Sequence, residues 1–529
     1  MPDELLHSNR RVDWFALVLI SFVLFFLVTV IGYSGNDDKY ITYAAADAIA
    51  TGNGFKNING EVAEQSSSLV FSVLLALITA STGLSAPFIA YYIGISLYTC
   101  AAVVLSRLLC TMGTPIWVAI VPFFAAPALY WAGSGMETGL YVLLWVSWVW
   151  LNLGLLSDGR ISKTGVILVA AASALLAGTR PEAPFVIVAA VVAWGVLLSK
   201  LRSMVWVILI SVAGIYALLT FRLALGLKIF PLPTYVKTSG LSMEDVQNGI
   251  GYVIASIGIN NGLGGFFTCQ LALVAAIAIL PLAFRRTHIP KTVFGLGFAS
   301  VGYANLAFSI ATGGDWMPVF RFLGISYLAF IVALLLLLPR RWMQGVFALV
   351  FIIGAIFDVA KIASLRHSAS PFFENFVAEN IGIVAAPLDR ASAVQSRDVI
   401  FTERLIEAIE LDPRQSLTVA SVQAGFVPYW LSRLSSKDIH FVDLRGLSTT
   451  DLHNCERLPD IWRYEPYDHL ADIEACADRK IDFFYDLRPK SRLDRLEEFG
   501  CPLLFEIEVV FPNRFRARSW TARQFLAKC

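Results

Sequence analysis

The chain has 529 residues, of which 57% are hydrophobic and only 15% are charged, and its mean hydropathy is +0.66. This composition excludes a soluble globular protein and predicts a polytopic α-helical membrane protein. The net charge of +1, with no long run of Lys and Arg, excludes nucleic acid as a partner.

The first predicted element is a membrane helix near the amino terminus. The segment MPDELLHSNRRVD leads into an apolar run at 14–33. This run is longer than the core of a signal peptide, and no small-residue cleavage site follows it. We therefore expect the helix to be retained.

Further apolar runs of about the length of a membrane span follow along the chain. They lie at 66–85, 88–106, 114–133, 137–155, 163–179, 182–199, 203–222, 266–284, 293–312, 322–338 and 343–361. Short loops that carry Lys and Arg mark the cytoplasmic side of such a protein. These loops contain Arg10 and Arg11, Arg107, Arg160 with Lys163, Lys200 with Arg202, residues 285–291, and Arg340 with Arg341.

The basic loops agree on one orientation only if one apolar run does not cross the membrane. The run at 66–85 follows a long polar loop and ends in the uncharged STGLSAP. We expect it to form a re-entrant or juxtamembrane helix at the outer face. About 11 crossings then remain, with the amino terminus inside and the carboxyl terminus outside.

With this topology, most of the unusual polar segments face away from the cytoplasm. They are 34–65, 133–139, 178–184, 223–265 and 312–322. Because neither ATP nor a sugar nucleotide is supplied on that side, an activated substrate has to arrive there on a lipid carrier.

The tail is predicted to be an α/β domain. Candidate strands at 416–421, 439–444, 481–487 and 503–510 alternate with helical stretches such as 402–411. We therefore expect two domains, a transmembrane catalytic domain at 1–361 and an extracytoplasmic soluble α/β domain at 362–529.

Four of the seven cysteines lie in this tail, namely Cys455, Cys476, Cys501 and Cys529. An even number outside the membrane is typical of one or two disulfides, for example Cys455 with Cys476, although sequence alone does not define the pairing.

Two adjacent acids, Asp37 and Asp38, follow the first apolar run in the stretch GYSGNDDKYITYAAADAIATGNGF. One interpretation is that either acid caps the helix predicted over KYITYAAADAIA. The other is that one carboxylate acts as a general base at the lip of a water-accessible cavity. The two interpretations are compatible, because a capping geometry also holds a side chain rigidly.

Several motifs together resemble a known family. They are NDDKYITYAAADAIATGNGF, VAEQSSSL, GMETGLY, RPEAPF, PLPTYVK and GGDWMPVFRF, and VDLRGLSTTDL in the tail is a weaker match. In this order they resemble the GT-C superfamily of membrane glycosyltransferases that use polyprenyl-phosphate sugars. The nearest resemblance is to the arabinofuranosyltransferase branch, which includes arabinan-terminating and pilin-modifying enzymes. The chain departs from the common pattern after the loop glutamate, where Gln65 and serines stand.

The resemblance implies a GT-C fold and a role for the loop acids. Asp38, with Asp37 as the alternative, is the catalytic acid that polarises or deprotonates the acceptor hydroxyl. Glu64 lies across the same cavity, where it binds a sugar hydroxyl or shares the charge. Without the resemblance, a lone loop glutamate is most often solvated.

The leaving group of such a reaction is a polyprenyl phosphate, which cations must stabilise. Lys237 and Arg321 are the best candidates and Arg180 is the third, because each lies in an outer motif. The alternative is that these side chains only reach the membrane interface or lipid head groups.

Five further residues are candidates for binding the sugar or the acceptor: Tyr235, Asp315, Trp316, Glu137 and Glu182. The two aromatic residues also fit a membrane-interface belt. Glu137 also fits a favourable interaction with a helix dipole, and Glu182 also fits a simple pair with Arg180. Ionisable residues at the membrane are functional candidates by default.

The sequence does not predict a metal or another cofactor, since one acidic loop does not supply a full oxygen shell. The predicted function is transfer of a sugar, with arabinofuranose as the expected one, from a polyprenyl phosphate to a hydroxyl of a glycan or a secreted protein such as pilin. The expected location is the outer face of the bacterial inner (cytoplasmic) membrane. The alternatives are a transporter or flippase of lipid-linked sugars, an oligosaccharide ligase with a diphosphate-linked donor, and a noncatalytic sensor.

Overall fold

The computed structural model describes residues 21–22, 24–25, 37–158, 162–198, 200–237, 242–258, 265–283, 290–314, 319–367, 396–421, 424–444, 448–449, 451, 470–488, 503–511 and 520–528. The predicted site residues Asp315 and Trp316, the side chains of Tyr235 and Lys237, and most of the first apolar run lie outside them.

Most of the predicted apolar runs form helices, but the run at 114–133, which was expected to cross the membrane as one helix, is divided into two short helices and a 3₁₀ turn. The helices are α1 (Asp38–Ala50), α2 (Leu69–Thr82), α3 (Ala86–Thr111), α4 (Ile116–Ala119), α5 (Ala126–Ala132), α6 (Thr138–Asp158), α7 (Lys163–Thr179), α8 (Ala183–Leu198), α9 (Leu201–Ala224), α10 (Leu232–Lys237), α11 (Met243–Ile257), α12 (Phe267–Ala283), α13 (Pro290–Ala311), α14 (Leu323–Leu337), α15 (Arg341–His367), α16 (Ser396–Leu411), α17 (Phe426–Leu434) and α18 (Leu470–Ala477), with a 3₁₀ turn at Val121–Phe124.

The contacts divide the chain into two compact units. The first, here called the helical unit, comprises 1–34, 91–221 and 240–368. The second, here called the mixed unit, comprises 35–90, 222–239 and 369–529. The contacts therefore group the first polar loop with the tail, and the domain boundary expected after residue 361 stays a prediction.

Several helices have the length and composition of membrane spans. Among the described residues, four apolar helices are long enough to cross: Ala86–Thr111, Leu201–Ala224, Lys291–Ala311 and Arg341–Lys361. Shorter apolar helices of 10–17 residues accompany them. The predicted class, a polytopic α-helical membrane protein with an α/β tail, is confirmed.

Helix α2 covers the apolar run at 66–85 that was expected not to cross. It has 14 residues, so at 1.5 Å per residue it is about 21 Å long, which is shorter than the hydrocarbon core of about 30 Å. The helix α14, over a run that was expected to cross, is only one residue longer, with 15 residues, so the juxtamembrane or re-entrant placement of α2 stays a prediction.

The core of the helical unit is built around α14. All residues from Leu323 to Leu336 are buried, as expected for a helix that is apolar on every side. Helices α12 and α13 pack against it. Its two hydroxyl groups have partners, since Ser326 accepts a hydrogen bond from Asn305 at 3.0 Å and the Tyr327 hydroxyl lies 2.5 Å from that of Ser256.

Helices α3 and α6 approach each other closely at two glycines. A Cβ atom on Gly139 would lie 2.0 Å from the carbonyl oxygen of Gly94. Such contacts require residues without a side chain, as is common where membrane helices cross. The crossing fixes the start of α6, directly after Glu137.

The sheet of the tail has the strand order β2-β1-β3-β5-β4. The strands are β1 (Ser416–Ser421), β2 (Asp438–Asp443), β3 (Phe483–Arg488), β4 (Leu503–Phe511) and β5 (Trp520–Lys528). Strand β1 is parallel to both β2 and β3, whereas β5 is antiparallel to β3 and to β4. The first four strands lie where the sequence predicts them, and β5 was not predicted.

Cys476 is disulfide-bonded, so a disulfide in the tail is confirmed. Its partner lies outside the described residues, and the pairing with Cys455 stays a prediction. Cys100, Cys110 and Cys269 in the apolar helices are free.

Candidate functional site

The two adjacent loop acids occupy different environments. The carboxylate of Asp37 makes no cap hydrogen bond to α1. It accepts hydrogen bonds from the backbone N–H of Gly425 at 3.1 Å and of Phe426 at 2.5 Å, at the start of α17. Asp37 is the N-cap residue of α1 by position, but its carboxylate caps a helix of the tail. The capping interpretation is therefore corrected for Asp37, whereas Asp38 lies in the first turn of α1 as expected. Free N–H groups and the positive dipole end of α17 explain the preference for a carboxylate there.

Helices α1 and α17 pack side by side in the mixed unit. The ring of Tyr40 lies 4.9 Å from that of Phe426 and 5.3 Å from that of Tyr429. Further along both helices, Asp47 accepts a hydrogen bond from the Tyr429 hydroxyl at 2.8 Å and forms an ion pair with Arg433. Contacts advance in the same direction on both helices, so the two helices are parallel with their amino ends together.

Asp38 is the first residue of α1 and lies half-buried. An acid in the first turn is stabilised by the helix dipole. Its neighbour Asp37 contacts α17, so the structure gives different surroundings to two acids that are equivalent in the sequence pattern.

Glu64 is buried in the mixed unit, with 7% of its surface exposed. Its Oε2 atom forms an ion pair with Nη2 of Arg222. Within the part of the chain that the structure describes, Oε1 has no hydrogen-bond partner. Burial outweighs the effect of Arg222 and raises the pKa of Glu64 to about 7. A carboxyl group with a pKa near neutrality is suited to accept and return a proton.

Arg222 is a site residue that sequence reasoning missed. It lies in the last turn of the long apolar helix α9, where a lone arginine is typical of an interfacial anchor. In the structure it is 4% exposed, and its Nε and Nη2 atoms donate to the carbonyl of Lys228 at 3.2 and 3.0 Å. These bonds hold the guanidinium against Glu64.

The loop of Glu64 also contacts α10. The backbone N–H of Leu232 donates to the carbonyl of Glu64 at 3.1 Å. Helix α10 carries the candidates Tyr235 and Lys237, so the structure places their backbone in the same unit as the loop acids.

A second group of candidates comes together in the helical unit. Arg180 donates to Glu137 at 2.7 Å and to Glu182 at 2.6 Å, and all three residues are buried. Burial disfavours the charge of Arg180, but Glu182 and Glu137 outweigh it and raise the pKa of the guanidinium. The expected pair of Arg180 with Glu182 is present, and Glu137 is a second partner. One cation and two carboxylates leave this trio with a net charge of −1.

Arg321 lies next to this trio. Phe322 lies between the two arginines, with its ring centre 5.1 Å from Arg180 and 5.3 Å from Arg321. The guanidinium of Arg321 also lies 5.7 Å from the ring centre of Trp131 and 3.7 Å from the sulfur of Met136. Three motifs that are far apart in the sequence, GMETG, TRPEAP and VFRF, therefore meet here.

The backbone just before Arg321 is strained. Val319 and Phe320 have φ angles of 55° and 48°, which are unfavourable for residues with bulky side chains, most of all for a β-branched valine. The carbonyl of Val319 accepts a hydrogen bond from the Trp131 indole at 3.3 Å, and the ring of Phe320 packs on Tyr252. Such strain clusters at functional sites.

The candidate residues thus form two groups. Asp37, Asp38 and Glu64 belong to the mixed unit, and Glu137, Arg180, Glu182 and Arg321 belong to the helical unit. In the described ranges, no three His, Cys, Asp or Glu side chains meet in a set that could hold a metal ion.

No family model and no curated protein sequence match the chain. The chain is similar to two crystal structures of ArnT from Cupriavidus metallidurans. For the apo structure, the identity is 12%, the alignment covers 97% of each chain and the TM-score is 0.44. For the structure bound to undecaprenyl phosphate, the identity is 14%, the coverage is again 97% of each chain and the TM-score is 0.45. Both scores lie below 0.5, so the function of this chain has to be inferred from its own residues.

Proposed function

We propose that the chain is a membrane-embedded glycosyltransferase that moves a sugar from a polyprenyl-phosphate donor to an acceptor hydroxyl. The observation that carries the proposal is the carboxyl group of Glu64. It is buried, its pKa is about 7, and its Oε1 atom has no hydrogen-bond partner among the described residues. Buried polar atoms nearly always have a partner, so this oxygen fits a sugar or acceptor hydroxyl.

The acids of the mixed unit are the proposed proton acceptors. A carboxylate that accepts the proton of a hydroxyl makes its oxygen a better nucleophile for the anomeric carbon of the donor sugar. Asp38 is the proposed base, and Glu64 binds a hydroxyl and shares the proton. Lys237 and Tyr235, on α10, are the proposed phosphate and sugar contacts of this unit.

The helical unit carries its own candidate cation. Arg321 is the proposed ligand of the departing phosphate, because charge-assisted hydrogen bonds stabilise the anion as it forms. Arg180 was predicted as a third phosphate ligand, but it already pairs with two carboxylates. Its proposed role is to orient Glu137 and Glu182 toward sugar hydroxyls. Asp315 and Trp316 stay candidates for sugar binding.

The proposed location is the outer face of the bacterial inner membrane. The disulfide of Cys476 supports it, since disulfides persist in oxidising compartments. The basic loops of the sequence also support an outer location of the tail. The proposed domains are a catalytic transmembrane domain at 1–361 and an extracytoplasmic domain at 362–529. The proposed sugar is arabinofuranose and the proposed acceptor a glycan or secreted protein.

The test is transfer of labelled arabinofuranose from a synthetic polyprenyl phosphate by purified protein in detergent. We expect a new glycosidic bond with wild type and with Glu407→Gln, a control at an exposed acid, and a loss of at least about 100-fold with Asp38→Asn. Product from a diphosphate-linked oligosaccharide alone would identify a ligase. Movement of intact donor across liposomes without a new bond would identify a flippase, and either result contradicts the proposal.

A further inference from the structure

The contact between Asp37 and α17 lies at the start of the helix that follows the central parallel strand β1. Helix α17 directly follows β1, whose neighbours β2 and β3 are both parallel to it. The chain passes from β1 to β2 on one side and then to β3 on the other, which makes the β1/β3 boundary a topological switch point. Open α/β sheets bind ligands, often anions, beside such a point at the amino end of the following helix. Here the carboxylate of Asp37 takes that position.

The junction leaves no room for a side chain. A Cβ atom on Gly425 would lie 2.0 Å from the carbonyl oxygen and 2.8 Å from Oδ1 of Asp37. The two backbones are therefore in direct contact, and the loop cannot move away without breaking the hydrogen bonds to Gly425 and Phe426. Buried Ile41 and Ala424 pack together beside them.

A second contact fixes the other end of the helix pair. Asp47, near the end of α1, binds both Tyr429 and Arg433 of α17. The guanidinium of Arg433 also lies 4.4 Å from the ring centre of Tyr429. Two polar anchors, separated by packed aromatic rings, restrict both rotation and sliding of α1 along α17.

We infer that the tail domain is a positioning element for the proposed transfer reaction, and that Asp37 is its positioning residue. The hydrogen bonds from α17 to the Asp37 carboxylate hold the start of α1 in place. They thereby hold Asp38, the first residue of α1, in position as the acid that reacts. The inference rests on the proposed function for the role of Asp38. The docking of α1 on α17 does not depend on the reaction.

A pair of substitutions at Asp37 separates positioning from catalysis. An asparagine keeps one acceptor oxygen and is about as good a cap as aspartate, whereas alanine is not. An asparagine cannot act as a base. We expect Asp37→Asn to retain transfer within about threefold and Asp37→Ala to lose about five- to tenfold. Asp38→Asn is expected to lose at least about 100-fold.

Hydrogen–deuterium exchange of α1 and α17 in the full-length protein gives the readout that does not need activity. We expect Asp37→Ala to increase exchange at Gly425, Phe426 and the first turns of both helices, and Asp38→Asn to leave exchange unchanged. An Asp37→Asn variant as inactive as Asp38→Asn, with wild-type exchange, would overturn the inference and make Asp37 the base. Unchanged exchange in Asp37→Ala would equally overturn it.

The ion pair between Asp47 and Arg433 provides an independent check of the docking of α1 on α17. Asp47→Arg and Arg433→Asp are each expected to increase exchange in α1 and to lower transfer. The double variant is expected to restore a large part of both, since the ion pair is re-formed in reverse while the hydrogen bond from Tyr429 stays lost. Failure of the double variant to restore either would count against docking. If wild type shows no transfer, the exchange data still decide the docking, whereas the proposed function alone fails.

Discussion

Burial changes the chemistry of Glu64 more than its sequence context indicates. A loop glutamate is ordinarily ionised well below neutral pH, but here the carboxyl group is desolvated and the Arg222 guanidinium compensates for only part of that penalty. The folded protein therefore binds a proton at Glu64 up to about pH 7.

We expect transfer by wild type to fall as the pH drops through about 7, because only the ionised carboxyl of Glu64 can share the proton that Asp38 takes from the acceptor hydroxyl. Glu64→Gln is expected to remove this acidic limb and to lower transfer by about 100-fold. Arg222→Met removes the charge that lowers the pKa of Glu64, so the acidic limb of the pH–rate profile of this variant is expected to move to higher pH. Arg222→Lys keeps the charge, and its acidic limb is expected to stay where it is in wild type. Initial rates between pH 5 and 9 decide this, and an unmoved limb in Arg222→Met would contradict the coupling.

The two arginines beside Phe322 are expected to differ on mutation. Arg180→Gln leaves two buried carboxylates without their cation, which typically costs about 3–5 kcal/mol of unfolding free energy. Arg321→Gln is expected to raise the KM for the polyprenyl-phosphate donor by at least about tenfold with little change in thermal stability. Thermal unfolding in detergent and donor titrations measure the two effects. A stability loss in Arg321→Gln as large as that in Arg180→Gln would assign Arg321 a structural role.

At the scale of single elements, close backbone contacts set where helices begin. The crossing of α3 and α6 depends on Gly94 and Gly139. Gly139→Ala puts a methyl group against a carbonyl oxygen and is expected to cost about 1–3 kcal/mol. Gly251→Ala in α11 is the matched control, since nothing lies within 4 Å of its Cβ position. A thermal scan in which both variants unfold at the wild-type temperature would show that the crossing is not tight.

Most elements could be predicted from the sequence because their patterns are local. Apolar runs located the helices, and alternating residues located β1 to β4. Strand β5 was not predicted, because its strand conformation depends on pairing with both β3 and β4 and not on a local residue pattern. The short helix α17 was not predicted either, although its amino end accepts the first-loop acid.

For the molecule as a whole, the proposed outer location of the tail rests on the charge of the loops and is supported by the disulfide of Cys476. We expect an impermeant maleimide to label Cys476 in spheroplasts after reduction, and to leave it unlabelled without reduction. Reduction is also expected to weaken the tail by about 2–4 kcal/mol. Labelling that requires disruption of the membrane would place the tail in the cytoplasm and contradict the proposed location.

The membrane class and the α/β nature of the tail could be predicted from the sequence alone, because both depend on local composition and spacing, and the resemblance to a family supplied the candidate residues. Which carboxylate meets which partner depends on the tertiary structure. Asp37 caps a helix 388 residues away, Glu64 meets Arg222, and Arg180 meets Glu137. Burial and charge compensation arise from contacts between distant segments, so no local pattern contains them.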